Sequence, residues 1–160
     1  MAISFNADEI LQMAEQIERN GINFYSLAAE RLKQYGDVFS QLARQEDAHL
    51  AIFAGMRRSL SAAEREATAY DPDNENSFYL QALADRTVFN LDQDPRKLLP
   101  FSITLAGVLD VAIGNEKDSI VFYMGMKELV SEKLGGEKIN SIISEEFRHI
   151  AVLSGIAVKK

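Results

Sequence analysis

Two short stretches of the chain place a glutamate three residues before a histidine: Glu46 before His49, and Glu146 before His149. These are the two histidines of the sequence. Residues three apart in a helix project from the same side, so each pair can bind one metal ion or let its carboxylate reach a second. Because the chain has no cysteine, any metal must be bound through nitrogen and oxygen, as iron, manganese and zinc allow. The spacing predicts metal binding.

An internal repeat adds two further acids. Four stretches form two matching pairs: ERNGINFY at 18–25 with EKDSIVFY at 116–123, and QEDAHLA at 45–51 with EEFRHIA at 145–151. The offsets between equivalent glutamates, 116 − 18 = 98 and 146 − 46 = 100, are nearly equal. Such a repeat predicts two copies of one helical hairpin, related by an approximate twofold axis. Glu18 and Glu116 therefore join the two Glu-x-x-His pairs as candidates.

All four glutamates are expected on the buried faces of their helices, because the residues one and two turns away are apolar. Four carboxylates in one core cannot all stay ionised unaided, since burial and mutual repulsion both raise their pKa values. Two divalent cations would balance the charge of four carboxylates, while two neutral imidazoles would fill further coordination positions. We therefore predict that six residues bind a pair of metal ions: Glu18, Glu46, His49, Glu116, Glu146 and His149.

A buried network of Glu–His ion pairs without metal is the alternative that these residues leave open. No lysine or arginine is expected on the same faces to neutralise the acids, and unpaired buried charge is costly. Glu145, although adjacent to a predicted ligand, is expected to point about 100° round the helix from Glu146, towards Lys138 and Arg148, as a surface or rim residue.

Neighbouring side chains are expected to adjust the site. Tyr25 and Tyr123 each follow a predicted ligand by seven residues, which is about two helical turns, so that their hydroxyls can hydrogen-bond ligand carboxylates. Simple packing of both tyrosines in the core is the alternative. Four small residues lie one helical turn from Glu18 or Glu116: Ala14, Gly21, Ala112 and Ser119. They either leave room for a bridging oxygen species or permit close helix packing.

A helical period dominates the chain. It predicts four long helices at about 6–33, 36–60, 104–134 and 137–158, and a shorter helix near 77–90. Asn6 and Glu9 are expected to form a capping box at the start of the first helix. Gly36-Asp37 is expected to break the chain and cap the second helix, and Gly135-Gly136 to end the third. Residues 1–160 are expected to form a single domain of two hairpins, about 6–60 and 104–158, joined by a crossover at 61–103. This order predicts an all-α, ferritin-like four-helix bundle with a long crossover between helices 2 and 3.

Composition excludes several partners. The net charge of −7 is opposite to that of a typical nucleic-acid-binding protein. No stretch approaches the roughly 20 apolar residues of a membrane span. The amino terminus lacks the basic and apolar regions of a signal peptide. We therefore expect a cytoplasmic protein that has neither nucleic acid nor membrane as a partner.

At its predicted ligands the chain resembles the rubrerythrin branch of the ferritin-like di-iron carboxylate proteins. Nearly the whole chain is covered, because Glu18, Glu46-x-x-His49, Glu116 and Glu146-x-x-His149 follow the family's order. The resemblance implies two iron ions bound by these residues, with Glu46 and Glu146 as bridges, although the ligand types also suit manganese or zinc. It further implies reduction of hydrogen peroxide, or oxidation of ferrous iron by peroxide or dioxygen.

The chain departs from the rubrerythrin pattern in two ways. Rubrerythrins proper carry a cysteine-rich rubredoxin domain that supplies electrons, whereas this chain has no cysteine and would need an external electron-donor protein. They also place an extra glutamate one turn from the helix-three ligand, where Ile113 and Ser119 flank Glu116 here. A peroxidase, a ferroxidase for iron handling and a di-iron monooxygenase remain open, and a homodimer is the expected oligomer.

Overall fold

Helices make up the regular structure of the chain. The structure, a computed structural model, describes residues 5–66, 72–84, 99, 103–130 and 132–158. No β-strand occurs among these residues, which confirms the predicted all-α class. The described helices are α1 (Ala7–Arg31), α2 (Gly36–Arg58), α3 (Ala62–Glu66), α4 (Glu75–Ala84), α5 (Leu105–Leu129) and α6 (Gly136–Val158), with 3₁₀ turns at Lys33–Tyr35 and Glu132–Leu134. None of these helices is both long and apolar enough to cross a bilayer.

The start of α1 confirms the predicted capping box. The Asn6 side chain accepts a hydrogen bond from the Glu9 amide at 2.8 Å, and the Glu9 carboxylate accepts one from the Asn6 amide at 2.9 Å. Phe5 packs against the apolar cluster that contains Ile10, and these two residues occupy the positions of a hydrophobic staple. A cap of this kind stabilises a helix by about 1 kcal/mol, and it fixes the residue at which α1 begins.

The breaks between helices differ in detail from the prediction. Gly36 is already the first residue of α2, and no side chain among the described residues caps this helix end. Helix α5 ends at Leu129 rather than near residue 134, because Val130 takes an extended backbone with its side chain buried. Gly135 then adopts a φ of 128°, and a Cβ there would lie 2.9 Å from the terminal methyl of Met56. The glycine is therefore required in the connection to α6 and does not itself end α5.

The predicted crossover is described in part. Helix α3 was not predicted. Helix α4, Glu75–Ala84, lies where a helix was expected near 77–90 and begins two residues earlier than expected. Residues 67–71, 85–98 and 100–102 of the crossover lie outside the described residues. Arg65 of α3 donates hydrogen bonds to the Asp8 carboxylate and, at 2.7 Å, to the Arg57 carbonyl, so that α3 is attached to α1 and α2.

The long helices pack as two pairs, α1 with α2 and α5 with α6. Two apolar clusters fill the space between them. The first joins the amino-terminal halves of α1 and α6 to the carboxy-terminal halves of α2 and α5 and includes Ile10, Leu11, Phe53, Phe122 and Ile139. The second joins the opposite ends of the same helices and includes Phe24, Phe39, Leu42, Val108 and Leu153. Within each pair the helices are therefore antiparallel, and the crossover connects opposite ends of the bundle.

Candidate metal centre

The six predicted ligands lie at the middle of the bundle, between the two apolar clusters. On each of the four long helices they fall between the stretches that supply the clusters, for example at Glu18 between Ile17 and Phe24. All six are buried, with at most 4% of any residue exposed: Glu18, Glu46, His49, Glu116, Glu146 and His149. Burial among apolar side chains on both sides excludes water from this layer, which strengthens every electrostatic interaction within it.

The six residues form two groups of four in which the ligand atoms lie within 4.8 Å of one another. The first group, here called the His49 position, consists of Glu18, Glu46, His49 and Glu146. The second, the His149 position, consists of Glu46, Glu116, Glu146 and His149. Glu46 and Glu146 belong to both groups, so each position combines one histidine and one unshared glutamate with two shared carboxylates. This arrangement suits two cations placed side by side.

The same nitrogen of each imidazole faces the carboxylates. His49 Nδ1 lies 3.1 Å from Glu146 Oε1 and 3.6 Å from Glu18 Oε2. His149 Nδ1 lies 2.8 Å from Glu146 Oε2, 3.2 Å from Glu46 Oε1 and 3.4 Å from Glu116 Oε1. The two rings are stacked, with centroids 5.8 Å apart. The glutamates that face Nδ1 of one histidine are therefore equivalent, when the two halves of the chain are exchanged, to those that face Nδ1 of the other.

The ligand atoms fit a metal pair better than a hydrogen-bonded network. Seven buried nitrogen and oxygen atoms of these residues have no hydrogen-bond partner within the described part of the chain: Glu18 Oε2, Glu46 Oε1, His49 Nδ1, both carboxylate oxygens of Glu146, and His149 Nδ1 and Nε2. Buried polar atoms are nearly always satisfied, and leaving one unpaired costs about 1–3 kcal/mol. Oxygen and nitrogen lone pairs directed at one another are satisfied by cations, so the residues present fit two metal ions.

Without metal, the site binds protons instead. Burial raises the pKa of Glu18 well above its usual range, and the charge of Glu46 raises it further. Burial also raises the pKa of Glu116. Burial opposes the charged form of His49, but the carboxylates of Glu146 and Glu18 raise its pKa to about 11. Burial likewise opposes protonation of His149, yet Glu116 and Glu146 raise its pKa to about 12.

The pKa of Glu146 moves in the direction opposite to the pKa values of Glu18 and Glu116. Burial alone would raise it, but His149 and His49 lower it to about 2. The carboxylate closest to both imidazoles is therefore ionised in the metal-free protein, while the imidazoles beside it are protonated.

Metal loading is expected to release protons. Because both imidazoles are protonated at pH 7 and only the neutral form ligates, binding two ions should release at least two protons per chain. The apparent affinity should thus rise with pH, by about tenfold per pH unit for each proton released. Calorimetric titration in two buffers of different ionisation enthalpy measures the release directly. Binding enthalpies that do not depend on the buffer would contradict this prediction.

Both predicted tyrosines hydrogen-bond a ligand carboxylate, but the pairing crosses between the halves. The Tyr25 hydroxyl donates to Glu116 Oε1, and the Tyr123 hydroxyl donates to Glu18 Oε1. The sequence placed each tyrosine on the face of its own helix's glutamate, whereas each one reaches the glutamate of the other half. Burial and the neighbouring glutamate charges, led by Glu116 for Tyr25 and by Glu18 for Tyr123, raise the pKa of both phenols. The phenols therefore remain neutral donors.

Gly21 leaves space for a shared carboxylate. A Cβ at this position would lie 3.1 Å from the Glu46 carboxylate, so the glycine lets Glu46 approach α1 closely. The sequence offered two explanations for the small residue, and this contact favours close approach of the helices over room for a bridging oxygen species, because the Glu46 side chain of α2 takes the space. Ser119, the repeat equivalent of Gly21, instead donates its hydroxyl to the Asn115 carbonyl at 3.0 Å.

Replacing Gly21 with alanine is expected to affect stability and metal binding in opposite directions. Alanine favours a helix interior over glycine by about 1 kcal/mol, so the metal-free protein should gain at most that much in its free energy of unfolding. The added methyl must displace the Glu46 carboxylate, and we expect metal affinity to fall about tenfold. Urea unfolding and metal titration measure the two effects. Gly114→Ala is the matched control, because a Cβ there meets no atom within 4 Å among the described residues.

The expectation that Glu145 points away from the site is wrong. Its Oε2 lies 2.9 Å from His49 Nε2, and 35% of its side chain remains exposed. The helical wheel placed Glu145 correctly at the rim of α6, but α6 also contacts α2, so the rim of one helix lies beside the buried histidine of another.

Glu15 is a buried acid that sequence reasoning missed. It is 4% exposed, and its carboxylate lies 2.8 Å from Arg19 and 3.5 Å from Arg57. The spacing of four residues to Arg19 was a usable signal, although the contact with Arg57 of α2 was not readable from the sequence. Because its charge is compensated by arginine, Glu15 resembles a structural ion pair and differs from the metal-site carboxylates.

Comparison with known proteins agrees with this geometry. A family model described as Rubrerythrin matches residues 9–92, just over half of the chain, which include Glu18, Glu46 and His49. The structure is similar to a crystal structure from Thermotoga maritima, provisionally described as a ferritin-like diiron-carboxylate protein, with a TM-score of 0.69 and 26% sequence identity. That similarity covers 96% of this chain and 95% of the other. None of the curated proteins compared matches this chain.

Proposed function

Since the chain belongs to the rubrerythrin family, we propose that it is a non-haem di-iron redox protein that reduces hydrogen peroxide with electrons from an external donor. One observation carries the proposal: two groups of ligand atoms share Glu46 and Glu146 in a dry core. Seven buried nitrogen and oxygen atoms of the six predicted ligands lack a hydrogen-bond partner within the described part of the chain.

The proposed reaction needs two electrons and two protons for each peroxide, which becomes two molecules of water. Two ferrous ions, one at each position, would supply the two electrons. The four carboxylates balance the positive charge of such a pair, so that binding leaves no net charge buried. The hydroxyls of Tyr25 and Tyr123 restrain Glu116 and Glu18, which limits the reorganisation of these two unshared carboxylates.

Repeated turnover requires that electrons return to the site. The 160 residues contain no cysteine, so the chain carries no thiolate-bound iron centre that could deliver them. We propose a separate electron-donor protein for this step. The cytoplasmic location and the homodimer remain predictions.

Two cavities bear on the monooxygenase alternative. One, of about 390 Å³, is lined by Glu15, Arg19, Ala54, Arg57, Arg58 and Arg65. The other, of about 220 Å³, is lined by Ala106, Leu109, Asp110, Ile113 and Ala157. Neither lining includes a predicted ligand, so neither cavity gives an organic substrate direct contact with the metal positions. These two cavities therefore give no support to the monooxygenase alternative.

The test compares two oxidants. The metal-free chain is loaded anaerobically with ferrous iron and mixed rapidly with hydrogen peroxide or with dioxygen, while the near-ultraviolet absorption of oxygen-ligated ferric iron is recorded. We expect fast development of absorption with peroxide and slow development with dioxygen. A chemical reductant should then restore the ferrous protein for a second cycle. Glu146→Ala, loaded in the same way, serves as the control for iron oxidised outside the site.

The outcomes separate the candidate activities. Faster oxidation by dioxygen, with retention of the iron, would replace the peroxidase with a ferroxidase that handles iron. Absence of absorption with either oxidant, in protein that binds two other divalent ions, would overturn the iron assignment and leave manganese or zinc.

A further inference from the structure

The two histidines differ in what their outer nitrogens contact. His49 Nε2 lies 2.9 Å from Glu145 Oε2. His149 Nε2 is buried and has no hydrogen-bond partner among the residues that the structure describes. The internal repeat makes Gln45 the equivalent of Glu145, because 145 − 45 = 100 is the offset that also separates Glu46 from Glu146. The repeat thus has a carboxylate in the second half at the position where the first half has a neutral amide.

The rest of the site follows the approximate twofold closely. Each position has one histidine and three carboxylates, and each unshared glutamate accepts a hydrogen bond from the tyrosine of the other half. Both histidines are 1% exposed, and both direct Nδ1 at the carboxylates. The two ligand sets are therefore similar. They differ in the residue next to the shared glutamate, which is Glu145 in the second half and Gln45 in the first.

A carboxylate beside an imidazole has a defined effect. An ionised carboxylate only accepts hydrogen bonds, so the contact with Glu145 places the hydrogen of neutral His49 on Nε2 and leaves the Nδ1 lone pair free. That lone pair is directed at Glu18 and Glu146, where the metal would lie. A hydrogen bond from the outer nitrogen to a carboxylate also raises the basicity of a ligating imidazole and holds its ring in place. Among the described residues none accepts a hydrogen bond from His149 Nε2, so neither the basicity nor the orientation of that ring is supported in this way.

We propose that Glu145 is a positioning residue that makes the His49 position bind its metal ion more tightly than the His149 position, so that the two ions enter in order. The inference rests on the proposed di-metal site and adds the inequality of its two positions. Through His49, the charge of Glu145 favours the metal-bound state at one position, while Gln45 brings no charge to the other. The chain therefore passes through a state with one ion at the His49 position.

The experiment is a cobalt(II) titration of the metal-free full-length chain under anaerobic conditions. Binding is monitored by calorimetry and by the visible absorption of bound cobalt. The wild-type chain is expected to bind two ions in two resolved steps. Glu145→Gln should weaken the tighter step by about 10- to 100-fold and leave the other unchanged. Gln45→Glu should tighten the weaker step by a similar factor, because it places a carboxylate at the position that the repeat makes equivalent to Glu145. Glu137→Gln, an exposed substitution on the same helix as Glu145, controls for the change in net charge.

The two reciprocal variants make the test decisive. A merely structural role for Glu145 would not make Gln45→Glu tighten a binding step, so that variant tests the proposal even where Glu145→Gln folds poorly, as circular dichroism would reveal. Two cobalt ions bound with equal constants, or constants that neither variant changes, would overturn this inference and leave the di-metal site intact. A wild-type chain that binds no cobalt, iron or manganese would overturn the proposed function and this inference together.

Discussion

Replacing Glu146 with alanine is expected to reduce the metal content from two ions per chain to a trace. Glu146 belongs to both groups of ligands, and both of its carboxylate oxygens are buried without a hydrogen-bond partner within the described residues. One oxygen lies 3.1 Å from His49 Nδ1 and the other 2.8 Å from His149 Nδ1, so no other carboxylate is as close to either nitrogen. Its removal therefore disrupts both positions. Metal analysis after anaerobic loading and gel filtration gives the stoichiometry.

Two matched substitutions define what this result means. Glu18→Ala removes an unshared ligand and should leave about one ion, at the His149 position. Glu128→Gln removes an exposed acid from α5 and should leave both. A Glu146→Ala chain that still held two ions would refute the assignment of Glu146 as a shared ligand. Equal losses in Glu18→Ala and Glu146→Ala would mean that the two positions fill only together.

Removing the metal is expected to lower the melting temperature by about 10–20 °C. An unfolded chain cannot bring together ligands from four helices, so each ion binds and stabilises only the folded state. The stabilisation is about 2.7 kcal/mol per ion at a free metal concentration of 100 Kd. Two sites would then contribute about 5 kcal/mol, and in a chain of this size each kcal/mol moves the melting temperature by about 2–4 °C. Thermal unfolding of metal-loaded and chelator-treated protein, followed by circular dichroism at 222 nm as a general probe of helix, measures the difference.

The same measurement on Glu146→Ala provides the control. Without a shared carboxylate, added metal should leave its melting temperature within about 2 °C of the chelator-treated value. A wild-type melting temperature that chelator does not change would indicate that the buried acids are balanced by protons alone. The alternative of a metal-free Glu–His network would then account for the core.

The helices were predictable where local chemistry decides them. The Asn6–Glu9 capping box sets the start of α1 through contacts three residues apart, and such contacts are readable from sequence. The end of α5 was not predictable in this way. Val130 leaves the helix because its side chain is buried as part of the first apolar cluster, and that contact depends on other helices.

The sequence by itself determined which six residues the bundle brings together, because helical spacing and the internal repeat place them on buried faces at equivalent heights. The tertiary structure decided how they are shared: which carboxylates lie between the two positions, which tyrosine reaches which glutamate, and that Glu145 contacts His49. The physical reason is that a helical period gives only a side chain's direction from its own axis. Contacts between side chains of different helices depend on the separation, register and crossing of those helices, which arise from packing of the whole core.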